Sequence, residues 1–202
     1  VQAMDSHKVD GLAELLHDLA QTRQVIVFTH DPRLPEAVRR MQVPATILEV
    51  ERKAKSEVSV YTQLDPVQQY LTDAHAADKE EVRLGRKTAA LLVSGHCRAA
   101  LEAACVRLIR RRRLSKATPH ADVDALLRDT HGLHDLMTLA MYDNTHQGAD
   151  VLKRFNKFNP RAADAFQALK KGAHGELGAY QHALRDLIHD TRNVCDEVLG
   201  WQ

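Results

Sequence analysis

Aromatic side chains are scarce: four Phe, four Tyr and one Trp among 202 residues. That argues against a platform on which nucleic-acid bases stack. Cysteine is scarcer still. Cys97, Cys105 and Cys195 are odd in number, widely spaced and without a C-x-x-C. They suit buried thiols in a reducing compartment better than a disulfide framework or a zinc site, so a cytoplasmic location is expected. Cys97 and Cys105, eight apart, share roughly one helix face and are expected to pack. Neither charge sign dominates, with 28 Lys and Arg against 27 Asp and Glu and a net charge of +1. There is thus no global electrostatic case for nucleic acid or for a membrane. No run of about 18 apolar residues is present, so no transmembrane helix is expected. The start, Val1-Gln2-Ala3-Met4-Asp5, lacks the charged region and apolar core of a signal peptide. It also lacks a Met at position 1, and the chain reads as a piece of a longer protein. Twelve histidines include no H-E-x-x-H, and no metal site is expected.

What remains is ordinary globular material, 44% hydrophobic and 27% charged, in a chain long enough for one large domain or two small ones. Its organising stretch is Gln24-Val25-Ile26-Val27-Phe28-Thr29-His30-Asp31. Five apolar or β-branched residues in a row are too few for a helix and suit a buried parallel strand. The run stops on a polar trio ahead of Pro32, where open α/β sheets place ligand chemistry. Before it, Asp5 to Thr22 carries Val9, Leu12, Leu15, Leu16 and Leu19 at helical spacing, with Asp5 or Ser6 to cap. A short helix is expected over Leu34–Met41. Strands are expected at Ala45–Val50 and Glu57–Gln63, joined by a polar hairpin connection. In the second, Val58 and Val60 alternate with Ser59 and Tyr61, as in a strand with one wet face.

From Asp65-Pro66 onward the pattern is almost wholly helical. Helices are expected at Val67–Ala77, Lys79–Val93, His96–Leu114, Ala121–Thr130, Leu133–Tyr142, Ala149–Phe155, Arg161–Lys171 and Leu177–Leu199. Gly95, Gly132, Gly148 and the Gly172/Gly175 pair mark breaks. The fold class is therefore an α/β remnant of about three strands and two helices over residues 1–64, followed by an all-α domain over 65–202.

The order Ala3-Met4-Asp5, helix, then Val27-Phe28-Thr29-His30-Asp31 resembles the end of an ABC-class ATPase domain. The likeness is to the SMC and DNA-repair branch and to related bacterial "AAA family" ATPases. Ala3-Met4-Asp5 matches that family's D-loop, and His30 matches its switch histidine. The resemblance implies that His30 hydrogen-bonds the γ-phosphate of ATP and orients the attacking water, work that is positioning and electrostatics. It implies that Asp5 lies across a homodimer interface between two ATP sites, with Mg2+ beside the nucleotide. It also implies DNA repair or phage defence as the setting. The P-loop G-x-x-x-x-G-K-[ST], the Q-loop, the signature motif and an acidic Walker B strand are all missing from these residues. In the family they lie upstream, so this piece alone is expected neither to bind ATP nor to hydrolyse it. Its first partner would be the N-terminal ATPase half.

In the helical part, Arg98 and Glu102 are i,i+4 neighbours among small residues that admit a close helix–helix approach. Arg110-Arg111-Arg112-Arg113, with Arg107 and Lys116, is the densest basic cluster. It is either a solvated helix end that complements the macrodipole, a phosphate contact to DNA or RNA, or a contact to an acidic protein. His120 with Asp122 and Asp124 reads as capping chemistry. His131 and His134 sit near Asp129 and Asp135. His174, bracketed by Gly172 and Gly175, is a candidate general acid/base with Arg98 and Glu102. That trio would suit a helical nuclease or toxin effector. Arg185 and His189 are too close to match the R-x4-6-H motif of helical RNases of the HEPN type. A non-catalytic helical binding module is the remaining alternative.

Overall fold

The structure is a computed structural model and describes residues 5–52, 57–62, 65–171 and 182–201. The described chain is mostly helical, with one two-stranded antiparallel sheet. Contacts divide it into two units, Val1–Leu64 with Arg113–Val123, and Asp65–Arg112 with Asp124–Gln202.

In the first unit, α1 (Ser6–Ala20) packs on α2 (Arg33–Arg40). Their core is small: Val9 and Ala13 from one helix, Leu34 and Ala37 from the other. The i,i+3 and i,i+4 spacing explains the pairing, because each helix brings one narrow apolar stripe. Between the helices the expected strand Gln24–Thr29 does not form. The backbone there has no regular secondary structure, has no sheet neighbour and makes no backbone hydrogen bond among the described residues. Ile26 and Phe28 are 68% and 88% exposed. The cause is non-local: a strand exists only when another supplies its ladder, and nothing described lies beside it.

The hairpin is present. β1 (Leu48–Arg52) and β2 (Val58–Thr62) pair with Leu48 opposite Thr62 and Val50 opposite Val60. The first strand starts and ends later than its expected Ala45–Val50. Its apolar side is the uncovered one, since Leu48, Val50, Val58 and Val60 all lie more than half exposed.

The second unit holds the main core. α3 (Pro66–Lys79) starts where the Asp65 carboxylate accepts from Val67 N–H at 2.9 Å, with Pro66 at the first helical position. After the single turn α4 (Glu81–Leu84), Gly85 turns the chain at φ +80°. The long α5 (Arg86–Ser115) follows. It runs unbroken through Gly95, contrary to the expected break. A lone glycine inside a helix costs only about 0.5–1 kcal/mol relative to Ala, and ten buried residues from Ala89 to Ile109 hold it in place. By length and composition α5 could also cross a membrane. One side of it nevertheless serves as core, Cys97, Leu101, Cys105 and Leu108 being fully buried, while Leu91 and Leu92 are exposed.

α6 (His120–Asp129), α7 (Leu133–Tyr142), α8 (Gly148–Phe158), α9 (Pro160–Lys171) and α10 (Leu184–Gly200) complete the described helices. α8 packs on α7 and α9, and α10 on α3 and α9. Residues 177–181 of the long helix expected over Leu177–Leu199 lie outside the described residues.

The junction of α7 and α8 yields a prediction. His134 donates through Nε2 to the Gly148 carbonyl at 3.1 Å. A Cβ on Gly148 would stand 2.4 Å from His134 Cε1. Gly→Ala in a helix normally stabilises. Here the ring must move, and Gly148→Ala is expected to destabilise by about 1–2 kcal/mol, as overpacking does. In a His134→Ala background the same change should cost much less by urea unfolding. An equal cost in both backgrounds would refute the clash.

Candidate functional site

His30 sits at the end of the unpaired apolar stretch, immediately before a tightly bonded turn. The Asp31 N–H donates to Thr29 Oγ1 at 3.0 Å. The Asp31 carboxylate accepts from the Arg33 N–H at 3.0 Å and from Arg33 Nε at 3.0 and 3.1 Å. Asp31 is buried, and its carboxylate thereby organises the entry into α2 as an N-terminal cap does. The trio read from sequence thus divides its work. Thr29 and Asp31 hold the turn, and His30 between them is exposed, with no bond to its ring among the described residues.

The Arg33 guanidinium, and next its backbone N–H, lower the Asp31 carboxyl from 3.8 to about 2. A carboxyl depressed in the folded state adds stability above its unfolded pKa. That contribution is complete above pH 3.8 and fades as pH falls through about 2. Carbon-13 titration should place the Asp31 midpoint near 2, and Arg33→Ala should return it towards 3.8. A wild-type midpoint already near the ordinary value would refute the pairing.

Of the D-loop-like triplet only Asp5 is described. Its carbonyl accepts from Lys8 and Val9 N–H groups at the start of α1, while its side chain makes no capping bond. The nucleotide implied by the resemblance does not fit these residues alone. They present one imidazole and no phosphate cradle, and Arg33 is engaged with Asp31.

The basic run is woven into the fold. Arg107 pairs with Asp65 and Arg110 with Asp124. Arg111 donates to the carbonyls of Leu199, at 3.1 Å, and Trp201. Arg112 donates to the Ala140 carbonyl. Arg111 and Arg112 thus serve the carbonyl ends of α10 and α7, which have no intrahelical donors left. Burial lowers the pKa of Arg112 below its ordinary value. Arg113 is half-buried and Lys116 exposed.

Arg98 Nε donates to Glu102 Oε1 at 2.8 Å along α5, as the i,i+4 spacing implies. The third member of that candidate trio, His174, lies outside the described residues with Gly172 and Gly175. The three cysteines are buried. Burial pushes the Cys97 thiol up to about 12 and raises Cys105 and Cys195 as well, so none is a ready nucleophile. Among the described residues no three His, Cys, Asp or Glu side chains are grouped to hold a metal ion.

Four side-chain links had no signal in the sequence. His120 bonds Asp10 at 3.1 Å, and Arg40 takes the same carboxylate. Arg161 reaches the buried Asp190 at 3.2 Å. Arg192 donates to Gln68 Oε1 at 3.1 Å. Each joins residues far apart in the chain. No family model, curated protein or solved structure matches this chain.

Proposed function

We propose that this chain supplies the switch histidine, His30, to an ABC-class ATPase of DNA-repair or phage-defence type. The helices from Pro66 onward form its appended interaction module. The observation that carries the reading is the unpaired apolar stretch Gln24–Thr29 with exposed His30 at its carboxyl end. Its side chains are apolar on both faces, which suits a strand covered on both sides, and its backbone groups call for ladder partners. Strands brought by another part of the protein would complete it and carry His30 to the edge of a nucleotide site. ATP and Mg2+ would be held chiefly by that other part, because these 202 residues contain no P-loop. A homodimer that pairs two such sites would bring Asp5 to the interface.

The test uses the polypeptide that includes the P-loop half. His30→Ala should abolish ATP turnover while nucleotide affinity stays within a few-fold of wild type, the pattern of a group that acts in the transition state. Unchanged turnover would overturn the proposal, as would failure of this chain to associate with any P-loop-bearing polypeptide encoded with it.

A further inference from the structure

We propose that the face shared by α3 and α10 binds the phosphodiester backbone of a nucleic acid. This inference is independent of the ATPase reading. It concerns two stripes of side chains at helical spacing. On α3 they are Gln68, His75 and Lys79, at i, i+7 and i+11. On α10 they are Arg185, His189 and Arg192, at i, i+4 and i+7. The two helices pack together, and the stripes meet where Gln68 Oε1 accepts from Arg192 at 3.1 Å.

The row gathers cations from two packed helices that make no bond to a carboxylate among the described residues. Elsewhere in the second unit, Arg98, Arg107, Arg110 and Arg161 pair with carboxylates, and Arg111 and Arg112 serve carbonyls. Lys79 and Arg185 are exposed and make no hydrogen bond or ion pair among the described residues. Arg192 bonds only a neutral amide, so its guanidinium has no direct carboxylate partner. Asp78 and Asp196 flank the row without an ion pair to these cations. His75 registers the resulting field. Burial first, and then the charges of Arg192, Arg185 and Lys79, hold its pKa below the ordinary 6.5 against the opposing pull of Asp78.

The shape selects the ligand. Gln68 to Lys79 spans about 16 Å of helix at 1.5 Å per residue, too long a row for one phosphate and suited to several along a strand. Guanidinium groups match phosphate oxygens in paired geometry. With few aromatics in the chain, base stacking contributes little, so binding is sequence-blind and set by counter-ion release.

The test is fluorescence anisotropy of this chain with a labelled single-stranded oligonucleotide of about 20 residues, as RNA and as DNA. Three cations predict a log–log salt slope near −2, or roughly 20-fold weakening between about 50 and 200 mM salt. The double variant Lys79→Ala/Arg185→Ala alters two exposed side chains outside the core. It should weaken binding more than about tenfold at the lower salt and reduce the slope by more than one unit. The control pair Lys87→Ala/Lys157→Ala, also exposed, should bind as wild type. The His75 pKa, followed by NMR, should rise when either strand binds. The proposal falls if neither strand binds at the lower salt, if the control pair loses as much as the test pair, if the His75 pKa does not move, or if labelled polyglutamate binds as tightly as the oligonucleotides.

Discussion

Phe166→Ala is expected to lower the unfolding free energy of the second unit by about 3–5 kcal/mol, the usual cost of truncating a fully buried aromatic. The Phe166 ring is completely buried. It lies 5.4 Å from the Phe155 ring, centroid to centroid and tilted by 45°, and 6.3 Å from the His134 ring. Tilted aromatic pairs add about 0.5–1.5 kcal/mol beyond the area they bury. The position also joins helices, since α9 carries Phe166 between neighbours α8 and α10. A domain of this size is held by only about 5–15 kcal/mol, so the variant should be marginal at room temperature. Phe166→Leu keeps most of the volume and should lose markedly less. Urea unfolding of the two variants side by side is the measurement. Equal midpoints for wild type and Phe166→Ala would mean that the pair bears little of the load.

Arg111→Ala is expected to cost about 2–3 kcal/mol, because bonds to a charged donor are worth roughly 1.5–3 kcal/mol each and are not additive. Arg111 serves two carbonyls at the end of α10, those of Leu199 and Trp201. Those acceptors have no donor within the helix, and a cation there also meets the negative end of the helix dipole. Arg111→Lys keeps the charge but not the forked geometry and should recover only part of the loss. The prediction separates the two readings of the basic run. A strut loses stability on truncation, whereas a solvent-facing phosphate contact loses affinity and keeps its unfolding midpoint. An unchanged midpoint for Arg111→Ala would return this residue to the nucleic-acid reading.

The helices were legible because their cues are local. α7 was expected over Leu133–Tyr142 and occupies those residues. α9 begins one residue before its expected Arg161, at Pro160. In both, apolar residues recur near every 3.6 positions and Gly or Pro marks the start. Gly95 misled for the opposite reason: a local breaker was overruled by the burial of its neighbours on both sides. The hairpin was legible as two strands, but not the fact that its valines face outward, because alternation reports two faces and not which one is covered.

At the candidate site the same division holds. Asp31 and Arg33 are two residues apart, so their bond belongs to the local turn that Thr29-His30-Asp31-Pro32 announces. The link of His120 to Asp10 and that of Arg192 to Gln68 cross more than a hundred residues. No periodicity reports such a meeting, because it depends on how helices pack and not on how each one forms.

That is the boundary for the organising stretch as well. Gln24–Thr29 carries in its own residues a two-sided apolar run ending on a histidine, and its β-branched side chains favour an extended backbone. Whether it becomes a strand depends on a ladder that only other segments can supply. The basic run shows the converse. Its composition suggested an outward-facing charge, and packing turned Arg107, Arg110, Arg111 and Arg112 to carboxylates and helix ends. Meanwhile the unremarkable spacing of Lys79, Arg185 and Arg192 became a row of cations with no direct carboxylate bond among the described residues. Side-chain type and helical period are written along the chain; which charges find counter-ions is decided only when distant helices meet.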